Sequence, residues 1–151
     1  MKKLKWLLAV LFVIVIFSVI IFQAITINNI NQTQEDHFYA HIVAAANSLE
    51  EYQETGYKFM YEDGLMELHS ASSIALLLDD ASEYKRVHSV LLSIIGTYHS
   101  FPDDLALYID EIIEILKDYS DHHNVENLYI RLKSVDNQLT AMMAERAEKV
   151  E

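Results

Sequence analysis

From Trp6 to Phe22 every residue except Ser18 is apolar, and the run continues through Gln23 and Thr26 to Ile27. A helix that is hydrophobic on all sides belongs inside a large core or in lipid. These 22 residues span about 33 Å as a helix, against a hydrocarbon layer of about 30 Å. Val and Ile do not oppose this reading, because in lipid a helix satisfies its own backbone hydrogen bonds.

A cleaved signal peptide is the competing reading. Its apolar core is shorter, roughly 7–15 residues, and ends in a small-x-small site. The nearest such site here, Phe22-Gln23-Ala24, places Phe where a small residue is needed. An uncleaved anchor is therefore expected. Lys2, Lys3 and Lys5 precede the run with no acid among them. The positive-inside rule then leaves residues 1–5 as a cytoplasmic basic tail and places the rest outside. The expectation is a single-pass protein of the cell membrane, with its C-terminal domain extracytoplasmic. Residues 6–27 form the signal-anchor helix, 28–33 a polar collar, and 34–151 an acidic helical-bundle domain. Asn31-Gln32-Thr33 in the collar is a formal glycosylation sequon, too close to the membrane to be counted as a used site.

Beyond the anchor, composition limits the fold. Three Gly and one Pro in 151 residues are too few to turn a multi-stranded β-domain. The absence of Cys excludes disulfide scaffolds, zinc–thiolate sites, iron–sulfur clusters and thiol catalysis. The net charge is −12, and removing the three N-terminal lysines takes the remainder to −15. Nucleic acid, which needs a basic footprint, is not an expected partner.

The remaining sequence reads as helices. Phe38, Ile42, Ala45, Leu49, Tyr52, Gly56 and Phe59 recur at alternating spacings of four and three, the seam of a helix expected from Thr33 or Gln34 to Glu62. With no Pro or Gly in the collar, that helix can continue directly from the anchor. Glu62-Asp63-Gly64 reads as its stop, with Gly64 left-handed. A second helix is expected over 65–78, and a third from the Asp79–Glu83 junction to about His99. Asp80 and Glu83 have capping-box spacing, although the second and third could also be one bent helix. Pro102, Asp103 and Asp104 suit the first turn of a fourth helix running to about Tyr119. Asn124 is placed to cap a fifth, whose seam is Val125, Leu128, Leu132, Val135, Leu139 and Met142. The expected fold is all-α: a single N-terminal transmembrane helix, then an up-and-down bundle of four to five helices. A helical-repeat solenoid is the less favoured alternative, since no period of about 34–40 residues recurs.

No motif names a reaction. No Gly-rich phosphate loop can be built from Gly56, Gly64 and Gly96, and neither HExxH nor the Glu-x-x-His of bundle di-iron sites is present. His37 and His41 share a helix face at i, i+4. Asp118, Asp121, His122 and His123 cluster after the fourth helix, and His88 and His99 lie on one side of the third. Their ordinary reading is flanking or solvated residues; the sharper one is a weak divalent-cation or pH-responsive site. The acidic groups Glu50/Glu51/Glu54, Asp79/Asp80/Glu83 and Asp110/Glu111/Glu114 map to outward faces. Tyr52, Tyr84, Tyr98 and Tyr108 map to seams. No catalytic, cofactor-binding or metal-ligating residue is assigned, and no cofactor is expected.

In the order of its parts, the layout resembles the first half of bacterial membrane receptors with four-helix sensor domains. The likeness is architectural, without a shared motif, and the sequence carries no second span. The expected function is that of a non-catalytic, membrane-anchored, extracytoplasmic interaction module, an accessory or regulatory subunit or an assembly factor. Its expected partner is a protein in or at the membrane. The alternative is a ligand- or cation-binding, sensor-like bundle without a signalling output of its own.

Overall fold

A computed structural model describes residues 2–78, 82–100 and 102–148. The described residues form helices and connecting turns, with no strand: α1 (Lys2–Thr55), α2 (Lys58–Leu77), α3 (Ser82–Ser100), the five-residue α4 (Pro102–Ala106), α5 (Ile109–His122) and α6 (Val125–Glu148). The chain divides into two compact units, Met1–Thr33 and Gln34–Glu151.

The first unit holds the apolar run. It is long and apolar enough to cross a membrane, and none of its apolar window is buried. The hydroxyls along it donate to their own helix: Ser18 to the Ile14 carbonyl, Thr26 to Phe22 and Thr33 to Asn29, each at 2.9 Å. Such back-bonding pairs these hydroxyl donors within the helix itself. α1 is uninterrupted through residues 28–33, as the lack of Pro and Gly there allows.

The second unit has its own core. The second half of α1 contributes Phe38, Ile42, Ala45, Ala46 and Leu49, all buried. α1 packs on α2 through Ser48, whose hydroxyl donates to Asp63 Oδ2 at 2.7 Å, and through His41 and Glu67 at 2.5 Å. It packs on α5 through Gln53 with Asp110, Lys117 with Glu50, and Tyr39 with the Ser120 carbonyl. α2 pairs with α3, α3 with α6, and α6 with α5. Five long segments therefore close a ring, α1–α2–α3–α6–α5–α1. Residue numbers run oppositely across every pair except α3–α6, where Arg86 meets Glu126 and Tyr129. The bundle is up-and-down, with α3 and α6 parallel neighbours.

Buried positions explain each segment. α5 buries six of its fourteen residues: Ile109, Ile112, Ile113, Ile115, Leu116 and Tyr119. α6 buries Leu128, Leu132, Val135 and Leu139 along the expected seam, and Asn124 Oδ1 accepts from the Asn127 N–H at 2.9 Å, the anticipated N-cap. Phe38 meets Tyr84 and Tyr119 edge-on, with ring centroids 5.2 and 5.7 Å apart, the arrangement ring quadrupoles favour.

Three expectations are corrected. The first bundle helix ends at Thr55, not Glu62, because Gly56 takes the left-handed backbone (φ +70°) and its N–H closes on the Tyr52 carbonyl at 2.8 Å. Phe59, assigned to the α1 seam, instead lies in α2 and is 71% exposed. Gly64 is not a stop but a buried mid-helix residue of α2, where a Cβ would lie 2.7 Å from Leu49 Cγ. Its role is the close approach of α1 and α2. The fourth expected helix is divided. α4 ends at Ala106, the Tyr108 N–H turns back to the Leu105 carbonyl at 2.9 Å, and α5 restarts at Ile109. That turn keeps Leu105 and Ile109 buried while leaving Leu107 70% exposed. α2 and α3 are distinct helices, α2 ending where Leu78 turns extended. The Asp79–Ala81 part of the expected junction, including the proposed cap Asp80, lies outside the described residues.

Candidate functional site

The histidine and carboxylate clusters separate on folding. His41 turns to Glu67 of α2, while His37 is exposed, so the i, i+4 pair does not converge. His122 Nδ1 lies 3.2 Å from Asp118 Oδ1. Asp118 Oδ2 is engaged instead by α6: it accepts from Asn127 Nδ2 at 2.6 Å and lies 3.6 Å from Arg131. Asp121 is exposed, and His123, left-handed at φ 52°, stacks on Tyr39 at 4.6 Å. His88 Nδ1 sits 2.9 Å from Ser72 Oγ and 2.8 Å from its carbonyl; the His99 and Tyr98 side chains lie outside the described residues. Of the acidic groups, Glu50 pairs with Lys117 and Glu114 with Arg131. Tyr52 stacks on Tyr61 at 4.9 Å. Among the described residues no three His, Asp or Glu side chains gather where they could hold a metal ion.

What folding does assemble lies between α3 and α6. Lys85, Ser89 and Ser93 are spaced by four on α3, with Arg86 and Val90 beside them. Across from them stand Tyr129, Lys133 and Asp136 of α6. These stripes face one another across an open cleft of about 520 Å³. That is within the range of small-ligand sites.

Each cation in the cleft is held differently. The Arg86 guanidinium lies 3.8 Å above the Tyr129 ring and 3.2 Å from Glu126 Oε2. Its pKa is raised, chiefly through Tyr129, with Glu126 adding to it. One of its five N–H donors goes to this carboxylate. Lys133 Nζ donates to Asp136 Oδ2 at 2.6 Å, and this hydrogen bond raises the lysine pKa. Lys85 is exposed. Three cations thus line one cleft of a strongly acidic domain.

Asp136 is the unusual member. It is 4% exposed, and among the described residues its Oδ1 has no hydrogen-bond partner. A buried acceptor left without a donor costs about 1–3 kcal/mol, so such atoms call for an explanation. Sequence reasoning did not single out this residue. The available signal was an acid inside an apolar seam, next to Val135 and three residues before Leu139.

The other displaced ionisations also favour the resting protonation state. Burial raises the phenol of Tyr119 far above its ordinary value, and that of Tyr84 in the same direction. Neither moves toward neutrality, where a general acid or base would operate. Comparison with protein-family models, curated proteins and solved structures finds no match for this chain.

Proposed function

We propose that this protein is a non-catalytic, membrane-anchored helical module that presents its bundle outside the cytoplasm to a protein partner, as accessory subunit, regulator or assembly factor. The carrying observation is one chain with a wholly unburied apolar run long enough to span a bilayer and a separate unit with a complete core. A unit that buries its own core has no packing need for the apolar run, so lipid is the natural place for that surface. Lys2, Lys3 and Lys5 favour a cytoplasmic N-terminus.

Two measurements test this reading. The natural chain has no Cys, so Asn137→Cys, at an exposed position of α6, reports topology. A membrane-impermeant maleimide should label it in intact cells whose outer barrier has been permeabilised; labelling only after lysis refutes the orientation. Cross-linking in native membranes, followed by mass spectrometry, should recover a reproducible partner. Recovery of this chain alone refutes the interaction reading. A second reading, a ligand-binding bundle, is favoured by the α3–α6 cleft.

A further inference from the structure

We propose that the end of the bundle where α1 turns into α2 and α4 into α5 is the docking site for a basic, aromatic-bearing segment of a partner protein. The proposal rests on the partner reading above and adds the surface and the chemistry of what it takes. Tyr57, Phe59 and Leu107 are 69%, 71% and 70% exposed, and none of them fills the core. The two turns that carry them are tied together by the hydrogen bond from Gln53, near the end of α1, to Asp110, at the start of α5. Tyr57 follows Gln53 by four residues and Leu107 precedes Asp110 by three, so both project at the same end. Backbone hydrogen bonds hold both turns: the Gly56 N–H closes on the Tyr52 carbonyl at 2.8 Å, the Met60 N–H on Tyr57 at 2.9 Å and the Tyr108 N–H on Leu105 at 2.9 Å. Large apolar side chains on fixed turns lose little freedom on binding, and aromatic residues are prominent among those that dominate interfaces.

Charge selects the occupant. The chain segments at this end, 51–63 and 102–111, carry eight acids against one lysine, nearly half of the domain's excess negative charge. That lysine, Lys58, lies 3.4 Å from Glu62, whereas Glu51, Glu54 and Asp103 are exposed. α6 runs antiparallel to α5 toward the same end, and residues 145–151 add three acids and two bases, so the sign is unchanged. A second copy of this chain would set like charge against like, and an anionic lipid surface would be repelled. A segment with Lys or Arg around an apolar centre meets both features. Its bases are steered by the acidic rim, and its apolar side chains cover Tyr57, Phe59 and Leu107.

Three short synthetic peptides of equal length separate these requirements: lysines with tryptophans, lysines with alanines, and glutamates with tryptophans. The isotopically labelled full-length chain, in an uncharged detergent, is titrated with each at matched ionic strength and followed by amide NMR. The lysine–tryptophan peptide should give saturable shifts at Glu54, Tyr57, Phe59, Leu107 and Asp110. The lysine–alanine peptide should bind there about tenfold more weakly, and the glutamate–tryptophan peptide should leave these residues unmoved. Phe59→Ser with Leu107→Ser, both at exposed positions, should weaken the lysine–tryptophan peptide about tenfold. Glu51→Gln with Glu54→Gln should weaken it and flatten its salt dependence. Ile130→Ser, exposed on α6 toward the other end of the bundle, should change nothing. Equal binding of the two tryptophan peptides, shifts elsewhere only, no saturable shift, or a Phe59→Ser/Leu107→Ser variant that binds unchanged each overturns the proposal. Shifts at the same residues on raising the chain concentration without peptide overturn it in favour of a second copy, and shifts on doping the micelle with anionic lipid overturn it in favour of a membrane surface. Cross-linking in native membranes distinguishes the site from the reading beneath it. Recovery of a partner undiminished by Phe59→Ser/Leu107→Ser overturns the site alone, whereas recovery of this chain alone overturns the partner reading and the site with it.

Discussion

Substituting Ala at Gly64 and at Gly96 should change stability in opposite directions, although both residues lie within helices. On helix propensity alone either change stabilises by up to about 1 kcal/mol, since Gly is the poorer helix former. At Gly96 a Cβ meets nothing within 4 Å, so the propensity gain should appear almost whole. At Gly64 the added carbon would stand 2.7 Å from Leu49 Cγ, 2.8 Å from Leu49 Cδ2 and 3.4 Å from the Ala45 carbonyl oxygen. The first contact falls at the branch point of a side chain that is 1% exposed, so Leu49 cannot rotate clear without disturbing the core around it. Overpacking of this kind costs about 1–3 kcal/mol. Offset by propensity, Gly64→Ala should destabilise by up to about 2 kcal/mol, and because the propensity gain is common to both, the two variants should differ by the overpacking cost, about 1–3 kcal/mol. Denaturant titration of the full-length chain in uncharged detergent measures the difference. The readout should be near-UV circular dichroism of the tyrosines, because helix signal from the apolar run would persist after the bundle unfolds. Finding Gly64→Ala as stable as Gly96→Ala would refute the argument that close approach dictates the residue at 64.

Two further outcomes follow from single contacts. Asn124→Ala removes the acceptor for the Asn127 N–H and should cost about 1 kcal/mol in the same titration, while Asn124→Asp should retain most of the stability. Burial raises the phenol pKa of Tyr119 and Tyr84. The native state therefore holds protons that the unfolded chain releases above about pH 10, so stability is intact below that pH and falls as pH rises through it. Tyr119→Phe should make that alkaline loss shallower, whatever it does to stability at neutral pH; an unchanged slope would contradict the assigned cause.

Sequence periodicity carried the parts of the fold that depend on one helix at a time. The α6 seam and its Asn124 cap, the buried half of α1 and the apolar run all follow from spacing within a few turns. Errors arose where a local signal had two uses. Gly56 fits the heptad count after Tyr52 and so reads as seam, although its left-handed backbone ends the helix. Glu62-Asp63-Gly64 has the composition of a stop, yet Asp63 accepts from Ser48 and Gly64 admits Leu49. Both uses depend on a helix partner that periodicity alone does not identify. The α3–α6 cleft was illegible for the same reason. Its lysines, arginine and aspartate come from segments about 40 residues apart, and Arg86 with Glu126 is their nearest sequence-visible pairing. Conversely, His37 and His41 looked adjacent only while the pull of Glu67 was unknown.

The closed ring of helices also sets an order of events in time. The α2–α3 contact joins Ser72 to His88, 16 residues apart, and the α5–α6 contacts join residues 9 and 17 apart. The contacts that close the ring between α1 and α5 are 57, 67 and 81 residues apart. Loop-closure entropy rises with that separation and must be met before the distant contacts repay it. The α1–α2 contacts are as local, 15 and 26 residues apart, so three hairpins should form early and only the closure of α1 on α5 late, and Phe38→Leu mainly speeds unfolding whereas Ser72→Ala mainly slows folding. During synthesis, residues of α1 leave the ribosome first but acquire their α5 partners only after most of the bundle has been made. Until then Phe38, Ile42 and Leu49 lack their final cover, and this interval is when the chain is most open to a chaperone or to misassembly.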